Sequence, residues 1–192
     1  MHSVIRKLAL ESNQFLPLVD YLIPLVEDKK EIKIVDIGSG PFPRTGQYLE
    51  GVNVEVHNCD KQDFSGFWRD LGEVPLFPIE QHNMERLSYR DDYFDIVHCV
   101  NALDHTIDAL AALKEMIRVC KPDGWVYIDC NLDQLTTHRG KHYWDAQEDG
   151  TFVNPGSQFD LKNFGFNIEL IDHNTGRRHD NQIIAKLREP NG

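Results

Sequence analysis

The run Ile34-Val35-Asp36-Ile37-Gly38-Ser39-Gly40-Pro41 constrains this chain more than any other stretch. An apolar run around one carboxylate reads as a buried strand, and the glycines after it read as a tight turn. About twenty residues later, Val54-Glu55-Val56-His57-Asn58-Cys59-Asp60 reads as a second strand ending in an acid. Glycine lets the backbone come close to a ligand, because no Cβ stands in the way. An acid at a strand end can accept hydrogen bonds from both hydroxyls of a ribose. Together the two segments predict an adenosine-bearing cofactor at the carboxyl edge of a parallel sheet.

The remainder of the chain supports such a sheet. Residues 33–37 and 53–59 are strands, and 64–71 is a helix that Gly72 can end. Residues 75–81 make a weaker strand, because Pro75 and Pro78 remove ladder donors. Residues 94–100 are a strong apolar strand. Over 107–120, Ile107, Leu110, Leu113, Met116, Ile117 and Cys120 recur at helical spacing. Residues 121–124 form a turn into a strand at 125–130. Alternation of this kind predicts an α/β, Rossmann-like, doubly wound sheet. Residues 166–171 and 182–187 break the pattern: the link is too short for a crossover helix, so the two pair antiparallel. Upstream, Leu16, Val19, Leu22, Ile23 and Val26 predict a helix over 13–27, within an N-terminal helical segment 1–30.

At 192 residues the chain reads as one domain, 1–192. A net charge of −11 disfavours nucleic acid as a partner, since phosphate binding needs a basic face. Arg177-Arg178-His179 reads as a solvated turn. Neither a membrane span nor the apolar core of a signal peptide is evident, so the expected location is cytoplasmic. Cys59, Cys99, Cys120 and Cys130 make no CxxC pair and read as buried, reduced thiols.

A dinucleotide fold wants a third glycine where Pro43 stands. Proline removes a backbone donor there, so a pyrophosphate loses much of its cradle, whereas a cofactor without phosphates does not. At this point the chain, from about residue 32 to 188, resembles the class I S-adenosylmethionine-dependent methyltransferases. Asp36-Ile37-Gly38-Ser39-Gly40 resembles the family's glycine loop, and Asp60 its ribose acid. Asn83-Met84-Glu85-Arg86-Leu87 resembles the adenine-side segment, with Asn83 where an acid is usual. Residues 94–105 and 113–124 resemble the fourth strand, its turn and the helix that follows. The resemblance implies a seven-stranded methyltransferase fold with an antiparallel C-terminal hairpin, and S-adenosylmethionine as cofactor. It implies a cofactor site of Asp36, Gly38, Ser39, Gly40, Asp60, Lys61, Asn83, Met84, Glu85 and Asn101.

The acceptor end is read from two places. Asp104 and His105 follow the fourth strand, where a histidine is suited to take a proton. Alternatively, Asp104 and Thr106 cap the next helix, with His105 packed under the cofactor. The second place is the insert 132–164, polar and aromatic, where substrate contacts are expected. There His138, His142, Tyr143 and Trp144 cluster. His142 is a candidate base, and Tyr143 and Trp144 are candidate substrate contacts; the plainer reading is a surface loop anchored by Trp144. A metal set of His138, His142 and Asp145 depends on helical spacing over 138–145, and no metal is assigned. The insert and the residues after the fourth strand are similar to those of bacterial methyltransferases associated with surface-polysaccharide biosynthesis. That likeness implies a small-molecule or glycan acceptor, foremost a sugar hydroxyl, and an O-methyltransferase. The alternatives are an NAD-type oxidoreductase and a non-catalytic S-adenosylmethionine-binding protein.

Overall fold

The computed structural model describes residues 17–72, 77–132, 142–172 and 181–187. Seven strands form the main sheet: β1 (Glu31–Ile37), β2 (Asn53–Asp60), β3 (Glu80–Gln81), β4 (Phe94–Val100), β5 (Cys120–Asn131), β9 (Phe166–Asp172) and β10 (Asn181–Leu187). Their spatial order is β3-β2-β1-β4-β5-β10-β9. The first four neighbouring pairs are parallel, and β10 lies antiparallel between β5 and β9. This is the expected Rossmann-like methyltransferase sheet with its terminal hairpin. Strand order reverses between β1 and β4, which opens a crevice at their carboxyl ends.

Alternation along β1 divides the core between the two sheet faces. Val35 and Ile37 join Val97, Cys99 and the buried face of helix α2 (Ala109–Val119), after the short helix α1 (Ser65–Asp70). Ile32 and Ile34 join Leu18, Leu22, Val26, Ile96 and Tyr127 on the other face. All four cysteines are buried and unbridged, as expected. Burial pushes the Cys59 thiol up to about 12.

Several local expectations are corrected. Residues 17–30 hold only one turn of 3-10 helix, Ile23–Leu25, with Pro24 in its first positions. Proline lacks the N–H of a continuing helix and its ring clashes with the carbonyl four residues back. Leu22 and Val26 of the pattern are nevertheless buried, with Leu18 outside it, so the pattern found part of the core and not the helix. Residues 13–16 lie outside the described residues. The clear helix begins later than expected. Asp108 caps it by accepting from Ala111 N at 2.9 Å, and Thr106 Oγ1 donates to Leu103 O instead. Its buried face is Ala109, Ala112, Leu113, Met116 and Val119, and Ile107 is 72 % exposed. The turn expected at 121–124 is an irregularity inside β5, where the register with β4 jumps from Phe94↔Cys120 to Ile96↔Trp125. The strand expected over 75–81 is reduced to Glu80–Gln81, and 73–76 lie outside the described residues.

The insert adds a second, three-stranded sheet, β6 (Asp145–Ala146), β7 (Thr151–Asn154) and β8 (Ser157–Asp160). Its Trp144, Phe152 and Phe159 belong to the same core cluster as α2. The cross-strand pair Phe152–Phe159, with Trp144 packed on Phe159, staples the insert to the core. No helix among the described residues is long and apolar enough to cross a membrane.

Asp95, at the start of β4, ties three elements together. It is 3 % exposed and accepts from Lys29 Nζ at 3.0 Å, Lys121 Nζ at 2.9 Å and the backbone N–H of Lys33 at 2.9 Å. Burial alone would raise this carboxyl, but the bonds from Lys121, Lys33 and Lys29 hold it below the usual aspartate range. A lowered folded value stabilises the fold above the ordinary aspartate pKa of about 4, and that contribution is lost as pH falls through the lowered value. Asp95→Ala is expected to destabilise the protein by about 3 kcal/mol at pH 7. In urea denaturation, the gap between wild type and variant narrows as the pH is taken below that range.

Candidate active site

The crevice at the switch point is a cleft of about 650 Å³. Gly38, Gly40, Asp60, Asn83, Met84 and Asn101 line it, with Lys61 and Glu85 beside them. A smaller recess of about 170 Å³ shares Gly38, Gly40 and Asn101 with it and adds Asp36 and Ser39. The ten residues expected to hold a cofactor therefore converge on one place.

The glycine turn is built by the backbone. Gly38 N and Ser39 N both donate to Cys59 O, at 2.8 and 3.1 Å, which locks the end of β1 onto β2. Gly38 has φ +70°, and a Cβ there would stand 2.4 Å from the Ala102 Cβ. Gly40 has φ +62° with nothing within 4 Å of its would-be Cβ. Gly38 is thus needed for closure of the turn, and Gly40 keeps the cleft floor open. Asp60 Oδ2 accepts from Gly40 N at 3.1 Å and Oδ1 from Gln62 N at 2.9 Å. Each oxygen keeps a second lone pair for a ligand hydroxyl.

Asp36 is 3 % exposed, and its carboxylate is engaged on both sides. Oδ1 lies 2.8 Å from His98 Nδ1, and Oδ2 accepts from Arg44 N at 3.1 Å. His98 Nε2 lies 2.9 Å from Tyr21 Oη. Burial, helped by the charges of Asp36 and Asp129, keeps that phenol protonated far above its usual range. The hydroxyl is then a donor to Nε2, which directs the Nδ1 proton to Asp36. His98 and Tyr21 were not singled out from sequence. A polar residue in the middle of the apolar run Phe94–Val100 was the available signal. Gln62, Phe64, Ala102 and Thr106 also line the cleft unanticipated.

Five of the expected cofactor contacts have structural duties as well. Asn83 Oδ1 accepts from Glu85 N at 3.1 Å, so one lone pair of the amide oxygen is already used. Glu85 Oε1 accepts from Ile107 N at 2.8 Å and Asp108 N at 3.2 Å, holding the start of α2 against the cleft. Asn101 adopts φ +50° and accepts from Asn131 N at 3.3 Å. Ser39 Oγ donates to Gly40 O at 3.3 Å, and Lys61 Nζ to His105 O at 3.3 Å.

The acceptor end brings Asp104, His105 and His142 together. His105 and the 44 % exposed Tyr143 lie on the cleft wall. Asp104 Oδ2 is 2.6 Å from His142 Nδ1, and the two imidazole rings are 4.2 Å apart. Asp104 is 3 % exposed, and its ion-pair partner is the His142 imidazole. Trp144 is the anchor of the plainer reading, buried in the core, and not a substrate contact. It is 3 % exposed, packs on Phe159 and donates to Ile107 O at 3.3 Å. His138 lies outside the described residues. Residues 142–146 are irregular and then extended, so the helical spacing behind a His138–His142–Asp145 metal set is lost.

Residues 35–128 match a family model described as a methyltransferase domain. Over that stretch, just under half of the chain, the sequence is similar to a methyltransferase domain. The ubiquinone/menaquinone biosynthesis C-methyltransferase UbiE of Neisseria meningitidis is 33% identical over 105 residues, 52% of this chain and 43% of that protein. The uncharacterized methyltransferase YcgJ of Bacillus subtilis is 28% identical over 128 residues, 61% of this chain and 50% of that one. The chain spans about half the length of the curated relatives it matches. A SAM-dependent methyltransferase from Aquifex aeolicus superposes with a TM-score of 0.50 at 17% identity, covering 98% of this chain and 99% of that one, which shows a shared fold. The methyltransferase match does not favour an NAD-type oxidoreductase.

S-adenosylmethionine suits the cleft of this domain. Met84, Phe64 and Ala102 offer an apolar wall to an adenine, Asp60 an acceptor pair to a ribose, and the open floor at Gly40 close backbone approach. Gly38→Ala is expected to lower the melting temperature and abolish cofactor binding, because both the left-handed φ and the Ala102 clash oppose it. Gly40→Ala costs only the left-handed penalty, about 1 kcal/mol, and mainly weakens binding. Asp60→Ala weakens S-adenosylmethionine at least about tenfold, roughly 1.4 kcal/mol. Calorimetric titration of the three variants, alongside thermal melts, checks all three outcomes.

Proposed function

We propose that this chain transfers a methyl group from S-adenosylmethionine to a small-molecule acceptor, foremost a sugar hydroxyl. The observation that carries the reading is the Asp104–His142 contact at 2.6 Å, set beside His105 on the wall of the cleft. When bound, the cofactor supplies a methyl group already activated by the sulfonium charge. The protein must then align the acceptor, exclude water and deal with the acceptor's proton. Asp104 fixes the ring of His142, and its own backbone oxygen accepts from Tyr143 N at 2.8 Å and Trp144 N at 3.2 Å. Side chain and main chain of one residue thus hold the insert at the cleft mouth. Tyr143, exposed on that wall, offers a flat face to a sugar ring.

The glycan acceptor rests on the likeness of the insert to polysaccharide-associated methyltransferases. A carbon acceptor is the second reading, favoured by the identity with UbiE, whose name is that of a C-methyltransferase. Assays with methyl-labelled S-adenosylmethionine against nucleotide sugars, glycans and hydroquinones separate the two. The carbon shift of the transferred methyl distinguishes an O-methyl from a C-methyl product. Cofactor binding with no turnover on any acceptor class would leave a non-catalytic binding protein.

His142→Ala is expected to lower kcat about 100-fold, within the range usual for loss of a proton-handling group. S-adenosylhomocysteine affinity, measured by calorimetry, stays at the wild-type value. Wild-type turnover in this variant returns His142 to a purely structural role.

A further inference from the structure

We infer that Asp104, His105 and His142 form a binding site for one first-row divalent cation of the Zn²⁺ type. As a binding site it stands on geometry alone; its use in the reaction rests on the methyl-transfer reading. One ligand atom from each of the three residues lies within 4.8 Å of the other two. Donors around a tetrahedral ion at about 2.1 Å stand roughly 3.4 Å apart, so small side-chain rotations close the set.

The second observation is the state of Asp104. Its Oδ1 is buried and has no hydrogen-bond partner. Among the described residues no lysine or arginine pairs with it; its ion-pair partner is the His142 imidazole. The nearby Lys61 ammonium points to the His105 carbonyl instead. A buried carboxylate oxygen left unsatisfied is costly, and a bound cation removes that cost. The ligands are also held in advance. His142 is followed by Tyr143 and Trp144, whose backbone N–H groups are both bonded to Asp104 O, and Trp144 is anchored in the core.

Two imidazoles and one carboxylate suit a borderline transition cation and do not suit Mg²⁺ or Ca²⁺, which prefer all-oxygen shells. Three protein ligands leave a position for an oxygen of the acceptor. With the cation bound, His142 serves as a ligand in place of a base: a hydroxyl bound there would become more acidic and pass its proton to water, the cation would hold the negative charge, and the oxygen would take the methyl group as its bond to sulfur breaks. The sulfur keeps the electron pair of the broken bond and nothing is oxidised or reduced, so no oxidant or reductant is needed.

The test is titration of the chelator-stripped, full-length chain with Zn²⁺ by calorimetry and with Co²⁺ by visible absorption. One tight Zn²⁺ per chain and a tetrahedral Co²⁺ spectrum are expected. Asp104→Asn and the pair His105→Ala/His142→Ala weaken binding at least about tenfold, with thermal melts reporting that each still folds. His57→Gln/His82→Gln alters the surface cluster around Glu55 and Glu80 and leaves Zn²⁺ binding unchanged. Absence of tight binding, or binding that survives in His105→Ala/His142→Ala, overturns the site. Methyl transfer that persists fully in chelator overturns the cation's role and leaves the methyltransferase reading standing. Tight Zn²⁺ without turnover on any acceptor does the reverse.

Discussion

The contact between Asp36 and His98 is the one on which the site depends. It joins the end of β1 to the middle of β4, the two strands that diverge at the switch point. Both residues are almost wholly buried, so the contact forms where water cannot compete. Asp36 passes the constraint to the stiff loop after the glycine turn through Arg44 N. His98 passes it to Tyr21, which stacks with Tyr127 at 4.9 Å. Removing either partner would leave a buried polar group alone, and the cleft floor would lose its fixed shape.

From that centre the cleft is assembled by elements far apart in sequence. The glycine turn closes on Cys59 O, Asp60 reaches back to Gly40 N, and Glu85 grips the start of α2. The side chains of Asp60, Lys61, Asn83, Glu85, Asn101 and Thr106, all on the cleft, also bind backbone. Such double duty pre-organises the site, because the groups meant for a ligand are already held in place. The acceptor end follows the same rule, with Asp104 holding the insert by side chain and main chain.

Periodicity and glycine placement made the sheet legible in the sequence. β4 was read with its observed bounds, and the terminal hairpin was read as antiparallel because the link was too short for a crossover. The misreadings share a physical cause. Apolar spacing reports which side chains are buried, but not the backbone that buries them. Leu22 and Val26 pack as predicted, beside Leu18, on a segment that Pro24 keeps from being a helix, while Val19 and Ile23 are only partly buried. Of the two readings of Trp144, substrate contact and anchor of the loop, the anchor holds. Phe152 and Phe159, in strands that pair only locally, draw it inward.

The sequence by itself determined the parallel sheet, the glycine turn and the adenosine-binding edge. These follow from local rules of strand alternation, turn conformation and the missing Cβ of glycine. Only the tertiary structure decided which polar groups meet. Asp36 and His98 are 62 residues apart and His142 and Asp104 are 38 apart, separations over which no local rule acts. Their pairing is fixed by sheet register in the first case and by the buried anchor of Trp144 in the second. The cofactor end was therefore written locally, and the acceptor end was made by packing.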